Sequence, residues 1–273
     1  MNIWDRLAKI PRSFIFLIIG LSVFLPLLFK FTLPLNILKP VQEVYDFIEN
    51  LPEGSSVILS CDYSPDVLPE THPMAIALAR HMARKKLRVY ILTLHPAGTG
   101  LALDVYNRMI KEMGARERKD VVFLGYFPSS TATILGIGEN IRNVFKADYF
   151  GVPFDSIPAF EGVKNYNEIR LAISISGAAL PEVWMTYANG RYGANVVAGV
   201  TAVMAAQLYP YYRSKQFIGI LGGMRGAAEY EKLVNAQNLA TKGMNSISLA
   251  NFVMILFVIL GNIAYFMQRR KRR

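Results

Sequence analysis

Residues 56–94, SVILSCDYSPDVLPETHPMAIALARHMARKKLRVYILTL, read as one β-α-β unit. Ser56–Cys61 and Arg88–Leu94 are short, almost continuously apolar runs, the pattern of strands covered on both faces rather than one. Between them apolar residues recur at helical spacing through MAIALARHMARKK, with Pro73 placed to open the helix and Thr71 to cap it. On that helix His81 is expected at the surface. Strands joined through such a helix suit a parallel pair, which a tight turn cannot connect.

Outward from this unit the alternation continues. Leu101–Met113 reads as the next helix, closed by Gly114, and Val121–Gly125 as the third strand. Gly138–Phe145 has the look of a short helix. Arg170–Ser176, Asn195–Gly199 and Phe217–Leu221 supply three further strand-like runs. The expected fold is a three-layer α/β/α domain of Rossmann or flavodoxin type, with a mostly parallel sheet. Residues 145–166, rich in Pro, Gly and aromatic side chains, are expected to form a structured excursion on the sheet edge or against a neighbouring subunit.

This domain, expected over 39–243, stands between two apolar segments. Ser13–Phe29 carries no charge and Phe31–Leu38 extends it past Lys30, so 13–38 is read as a first membrane helix rather than a cleaved leader, since KFTLPLNILKP has no small-x-small cleavage site. Ile247–Met267 is uncharged over 21 positions and is stopped by RRKRR, so 244–267 is read as a second. Within it Ser248, Asn251 and Asn262 are expected to find hydrogen-bond partners on another helix, and Gly261 offers a point of close approach.

The net charge of +10 resembles a nucleic-acid signal, but its placement says otherwise. Arg6, Lys9, Arg12 and the five residues Arg269–Arg273 carry eight positive charges against Asp5 alone, which leaves the remainder near +3. Such flanking clusters are retained in the cytoplasm. The expectation is therefore a cytoplasmic-membrane protein with a basic N-terminus over 1–12, a basic tail over 268–273, both termini inside and the α/β domain outside. Its expected partners are the lipid bilayer, a second copy of itself and, as an alternative, another membrane protein; nucleic acid is excluded. One cysteine, Cys61, rules out an intrachain disulfide and a cysteine-rich zinc site.

Ligands of open α/β sheets bind beyond the carboxyl ends of the strands. Two loops there could cradle an anion before a helix: HPAGTG, with His95, Gly98, Thr99 and Gly100, and GGMRG, with Gly222, Gly223 and Arg225. Neither is a fingerprint, since GxGxxG after the first strand and GxxxxGK[ST] are both absent, and turn glycines alone would look the same. No metal site or cofactor is expected. Asp62, His95 and Ser176 are the weak candidates for a hydrolytic set, without the GxSxG elbow; Asp62, His72 and His95 could instead form an acid/base or metal cluster. Trp184, Tyr187, Tyr192, Tyr209, Tyr211 and Tyr212 could line a pocket, an interface or the headgroup region, or fill the core. The expectation from these residues is a membrane-anchored, homo-oligomeric scaffold or assembly protein that is not an enzyme, with a binding domain for a small anionic ligand as the alternative and a hydrolase behind both.

Overall fold

The computed structural model describes residues 11–28, 34–236 and 238–271. The basic residues Arg6, Lys9, Lys30, Arg272 and Arg273 lie outside them. The chain divides into two units, Leu35–Ala240 and the apolar segments up to Pro34 and from Thr241 onward.

The first unit holds an α/β domain with six parallel strands, β1 (Ser56–Asp62), β2 (Arg88–Thr93), β3 (Val121–Tyr126), β4 (Ile169–Ser176), β5 (Val196–Val200) and β6 (Gly219–Gly222). Their order is β3-β2-β1-β4-β5-β6, the doubly wound Rossmann order, in which the chain reverses direction across the sheet between β1 and β4.

The α-helices of five residues or more are α1 (Arg12–Leu28), α2 (Lys39–Glu49), α3 (Leu68–Arg84), α4 (Thr99–Met113), α5 (Ser130–Val144), α6 (Leu180–Trp184), α7 (Ala202–Arg213), α8 (Gly223–Leu233) and α9 (Leu239–Lys271) among the described residues. Each strand buries both of its faces, as an all-parallel sheet requires. Ile58, Tyr90, Leu92, Val122, Ala172 and Ala198 join one core with Ile134 and Ile137 of α5, Trp184 of α6 and Leu208 of α7. The alternate positions, Val57, Leu59, Ile91, Phe123 and Ile173 among them, are equally buried and belong to the side of α3, α4 and α8.

The strands lie within one or two residues of where their apolar runs place them. The helices differ more. α3 starts five residues before Pro73, after a 3₁₀ turn at Pro65–Val67, so that Pro73 sits inside it and the Thr71 hydroxyl donates to the Val67 carbonyl at 2.9 Å instead of capping. The short helix expected from Gly138 is the end of α5, which bends at Asn140 (φ −163°). α7 fills the aromatic-rich stretch where no helix was expected. His81 is fully buried rather than at the surface: its Nδ1 pairs with the Tyr230 hydroxyl at 2.7 Å and its Nε2 with Glu49 at 2.7 Å. Burial lowers its pKa to about 4 against the opposing pull of Glu49, so the ring is neutral at physiological pH.

The 145–166 excursion packs on this domain's own sheet. Phe160 stacks on Tyr90 with ring centroids 4.5 Å apart and on Phe154 at 4.0 Å, and the Tyr149 N–H donates to the Phe123 carbonyl of edge strand β3 at 2.9 Å. An aromatic cover and a main-chain bond of this kind blunt an edge that would otherwise pair with another chain.

α2 lies across the far side of β6, burying Pro40, Val41, Val44 and Ile48, a spacing that makes one apolar stripe. Both linkers to the apolar segments are held by α8. Glu229, fully buried, accepts the Leu38 N–H at 2.9 Å; Lys232 Nζ donates to the Leu35 carbonyl at 2.8 Å; and Glu231 accepts the N–H groups of Asn238 (2.9 Å) and Ala240 (3.2 Å). A carboxylate on free N–H groups at a helix start is a capping arrangement, here supplied from the preceding helix.

In the other unit, Leu239–Met267 of α9 is 29 residues long and apolar enough to cross a membrane, about 44 Å of helix. Phe252, Ile255, Val258, Ile259 and Phe266 are exposed along it. The expected first span over 13–38 is not seen as one helix. Of that segment the described residues show α1, 17 residues and about 26 Å of helix, and the non-helical 34–38, where Leu35 and Leu38 are bonded to α8; 29–33 lie outside the described residues. Asn262 turns its amide onto the Val258 carbonyl of its own helix (2.8 Å), and a Cβ added at Gly261 would meet nothing within 4 Å. Asn251 and Asn262 are exposed on the single chain.

Candidate functional site

The strand order puts the crevice that such sheets use for ligands between the carboxyl ends of β1 and β4. Asp62 ends β1 and faces Ser176 at the end of β4 in register. The Asp62 carboxylate is buried and accepts three hydrogen bonds, from Ser60 (2.7 Å), the Leu94 N–H (2.6 Å) and Ser174 (3.0 Å). It therefore ties β1 to the end of β2 and to β4 at the point where the winding reverses. Burial raises its pKa to about 6, and the three donors oppose that rise. The Trp184 indole also favours the anion from nearby, although its Nε1 reaches no acceptor with hydrogen-bond geometry.

The hydrolytic set does not come together. Ser176 is buried, and its Oγ donates to the Asp62 main-chain carbonyl at 2.9 Å while accepting the Ala178 N–H at 3.0 Å. Such a hydroxyl braces the turn after β4. Among the described residues no hydrogen bond links His95 to Asp62 or Ser176, and His95 Nδ1 is buried without a partner. The acid/base or metal cluster of Asp62, His72 and His95 is not assembled either. His72 binds the Tyr63 hydroxyl through Nδ1 (2.9 Å) and Asp104 through Nε2 (3.1 Å), with Arg108 behind Asp104 at 2.7 Å. Among the described residues no group of three acidic, His or Cys side chains is placed to hold a metal.

The two glycine loops occupy different parts of the sheet. HPAGTG follows β2 and GGMRG follows β6, four strand spacings away, about 19 Å, so they cannot share one small anion. Gly98 is needed for packing, since a Cβ there would stand 2.6 Å from the Cys61 carbonyl and 2.5 Å from Thr93 Oγ1. Thr99 Oγ1 donates to the Pro96 carbonyl at 3.2 Å, and Gly100 is exposed with open space around it.

At the other loop an acidic group of the chain already stands where an anion would sit. Glu70 accepts the Ala202 N–H at the start of α7 at 2.8 Å, and its Oε2 lies 3.0 Å from the Cβ position of Gly223, whose φ is +61°. Gly222 packs against the Ala205 methyl, and Arg225 is paired with Glu229 at 2.7 Å. At the crevice itself Val67 closes onto Gly177, whose Cβ would meet the valine methyl at 2.9 Å.

Three groups that shape this end were not singled out from the sequence as site residues. Ser60 and Ser174 carried a signal, being polar at fully buried strand positions in otherwise apolar runs. Glu70 carried none, because its partner is 132 residues away. Trp184 of the aromatic group is fully buried in the core, while Tyr187, Tyr192, Tyr209, Tyr211 and Tyr212 are partly buried and pack against that core. The chain matches no protein-family model, no curated protein and no solved structure.

The Asp62 environment makes a testable statement about charge. A carboxyl whose folded pKa is raised contributes stability that is complete below its ordinary value of 3.8 and lost as pH rises through about 6. At pH 8 the buried charge costs on the order of 3 kcal/mol. Asp62→Asn keeps an acceptor for the Leu94 N–H and presents an amide that Ser174 can accept. The variant is expected to be at least as stable as the wild type at pH 8, and to lose the wild type's decline between pH 4 and 7 in denaturant titrations. A loss above about 1 kcal/mol at pH 8, the size of a net hydrogen bond, would show that the ionised carboxylate is required.

Proposed function

We propose that this protein is a membrane-anchored, homo-oligomeric scaffold or assembly protein whose Rossmann-type domain performs no reaction of its own. The observation that carries this reading is the exposed apolar surface of α9, far larger than a monomer in water leaves uncovered, which calls for lipid or for further copies of the chain. In this reading the N-terminal apolar segment is a second anchor, both basic ends stay in the cytoplasm, and the domain stands outside. Asn251 and Asn262, exposed on the single chain and 11 positions apart, share one helical face that a neighbouring helix would cover.

The state of the strand ends agrees with a non-catalytic domain. Val67 over Gly177, Glu70 at the start of α7 and the tight seat of Gly98 fill the places where a ligand of this fold would enter. The alternative, a small anionic ligand held by HPAGTG or GGMRG, has less support, because Glu70 sets a negative charge beside the second loop. Electron microscopy of the full-length protein in mild detergent tests the proposal. Particles of several copies with closed symmetry are expected. A homogeneous monomer across a wide concentration range would overturn it.

A further inference from the structure

A groove of about 470 Å³ opens between the first turn of α2, the end of α7 and the segment leading into β6. Lys39 comes from α2, and Arg213 and Lys215 from the end of α7 and the turn after it; Ile218, half-buried, adds apolar surface above the buried Phe217. Lys39 lies 3.5 Å from Glu43, the one carboxylate in the lining. Glu43 also accepts the Tyr212 hydroxyl at 2.5 Å, so its charge is engaged from two sides. Among the described residues neither Arg213 nor Lys215 has an acidic partner within ion-pair distance.

Lys215 adopts φ +62°, a left-handed conformation that glycine or asparagine takes more easily at the end of a helix. Cations near the last carbonyls of α7 would complement that helix end wherever they pointed. Two further features suit a ligand: a third cation from a separate helix and the apolar Ile218 beside the charges.

We infer that this groove binds the phosphate-bearing headgroup of an anionic phospholipid. Three cations against one engaged carboxylate match a phosphodiester, and the half-buried Ile218 suits the glycerol and upper acyl carbons. Lys39 is the first residue after the linker leading to the N-terminal apolar segment, so by chain connectivity the groove begins where the domain joins its anchor. Basic groups beside a membrane attachment are the ordinary means of holding acidic lipid. The inference rests on the anchoring proposed above and adds the lipid class that the domain takes.

The test is the melting temperature of the full-length protein in nonionic detergent, titrated with phosphatidylglycerol, phosphatidylcholine or inorganic phosphate. Phosphatidylglycerol is expected to raise it saturably, while the other two leave it unchanged. The Arg213→Gln/Lys215→Asn variant changes exposed groups, with asparagine suited to the left-handed position, and should melt normally without lipid. Each basic group contributes about fivefold near an acidic surface, so this variant should need ~30-fold more phosphatidylglycerol. The Lys111→Gln/Lys119→Gln variant carries the same charge change away from the groove and should respond as the wild type.

An undiminished response in the groove variant, or an equal rise with phosphatidylcholine, would overturn the headgroup site. A rise with inorganic phosphate that the groove variant loses would overturn the lipid assignment in favour of a soluble phosphate. A protein that stays monodisperse without detergent would overturn the anchoring, and with it the lipid source. If detergent is required and only the lipid response fails, the groove inference alone falls.

Discussion

Replacing Trp184 by alanine should lower the unfolding free energy by about 3–5 kcal/mol, the range for removing a large aromatic side chain from a packed core. Trp184 ends α6, is completely buried, and joins the core between the sheet and α5, α6 and α7. Among the described residues its Nε1 meets no acceptor with hydrogen-bond geometry, so the loss is mainly one of packing, beside a weaker electrostatic contribution to Asp62. The chain continues from this residue into a π-helical turn, Met185–Asn189, whose Met185 and Ala188 are buried as well. Trp184→Phe keeps most of the apolar volume and should lose less than half as much. Urea titration followed by circular dichroism separates the two variants; an alanine loss below ~1 kcal/mol would mean the surrounding side chains collapse into the space.

Gly219→Ala should cost about 3 kcal/mol, near the top of the usual range for overpacking, because the obstruction is main chain. A Cβ at Gly219 would lie 2.2 Å from the Pro40 carbonyl oxygen and 2.6 Å from a Val44 methyl, so α2 would have to lift from β6. The same substitution at Gly100 provides the contrast. Nothing lies within 4 Å of its Cβ position in the first turn of α4, and alanine there should stabilise by up to about 1 kcal/mol. Thermal melts of the two variants should move in opposite directions. If Gly219→Ala melts within about 2 °C of the wild type, a shift of a fraction of a kcal/mol, α2 is not seated on β6 as described.

Gly219 and Gly98 show where sequence reading stops. Gly219 stands in the middle of the apolar run Phe217–Leu221 and Gly98 sits in a glycine-rich loop; on composition one is unremarkable and the other resembles an anion cradle. Their roles are set by Pro40 and by the carbonyl of Cys61, each placed there by the fold. Arg225 looked available to an acid and is paired with Glu229, whose position four residues on along the helix was visible but whose burial was not. Helix phase placed His81 outside because histidine is polar, while Glu49 and Tyr230, 32 and 149 residues away, satisfy both of its ring nitrogens inside.

The apolar residues 31–38 were continuous with an apolar segment and were read as part of it. Part of that stretch serves as a linker bonded to α8, a distinction that hydropathy does not carry. Sequence alone determined the alternation of buried strands and amphipathic helices, the parallel sheet that follows, and an apolar C-terminal helix of membrane length. These are local properties, written in the period of the side chains and in run length. Tertiary structure alone decided the strand order, the closure of the crevice by Val67, the seat of Glu70 beside the loop after β6, the absence of a hydrogen bond between Ser176 and His95 among the described residues, and the groove built from Lys39, Arg213 and Lys215. Each of these joins residues far apart in the chain, and neither periodicity nor composition records which distant groups will meet.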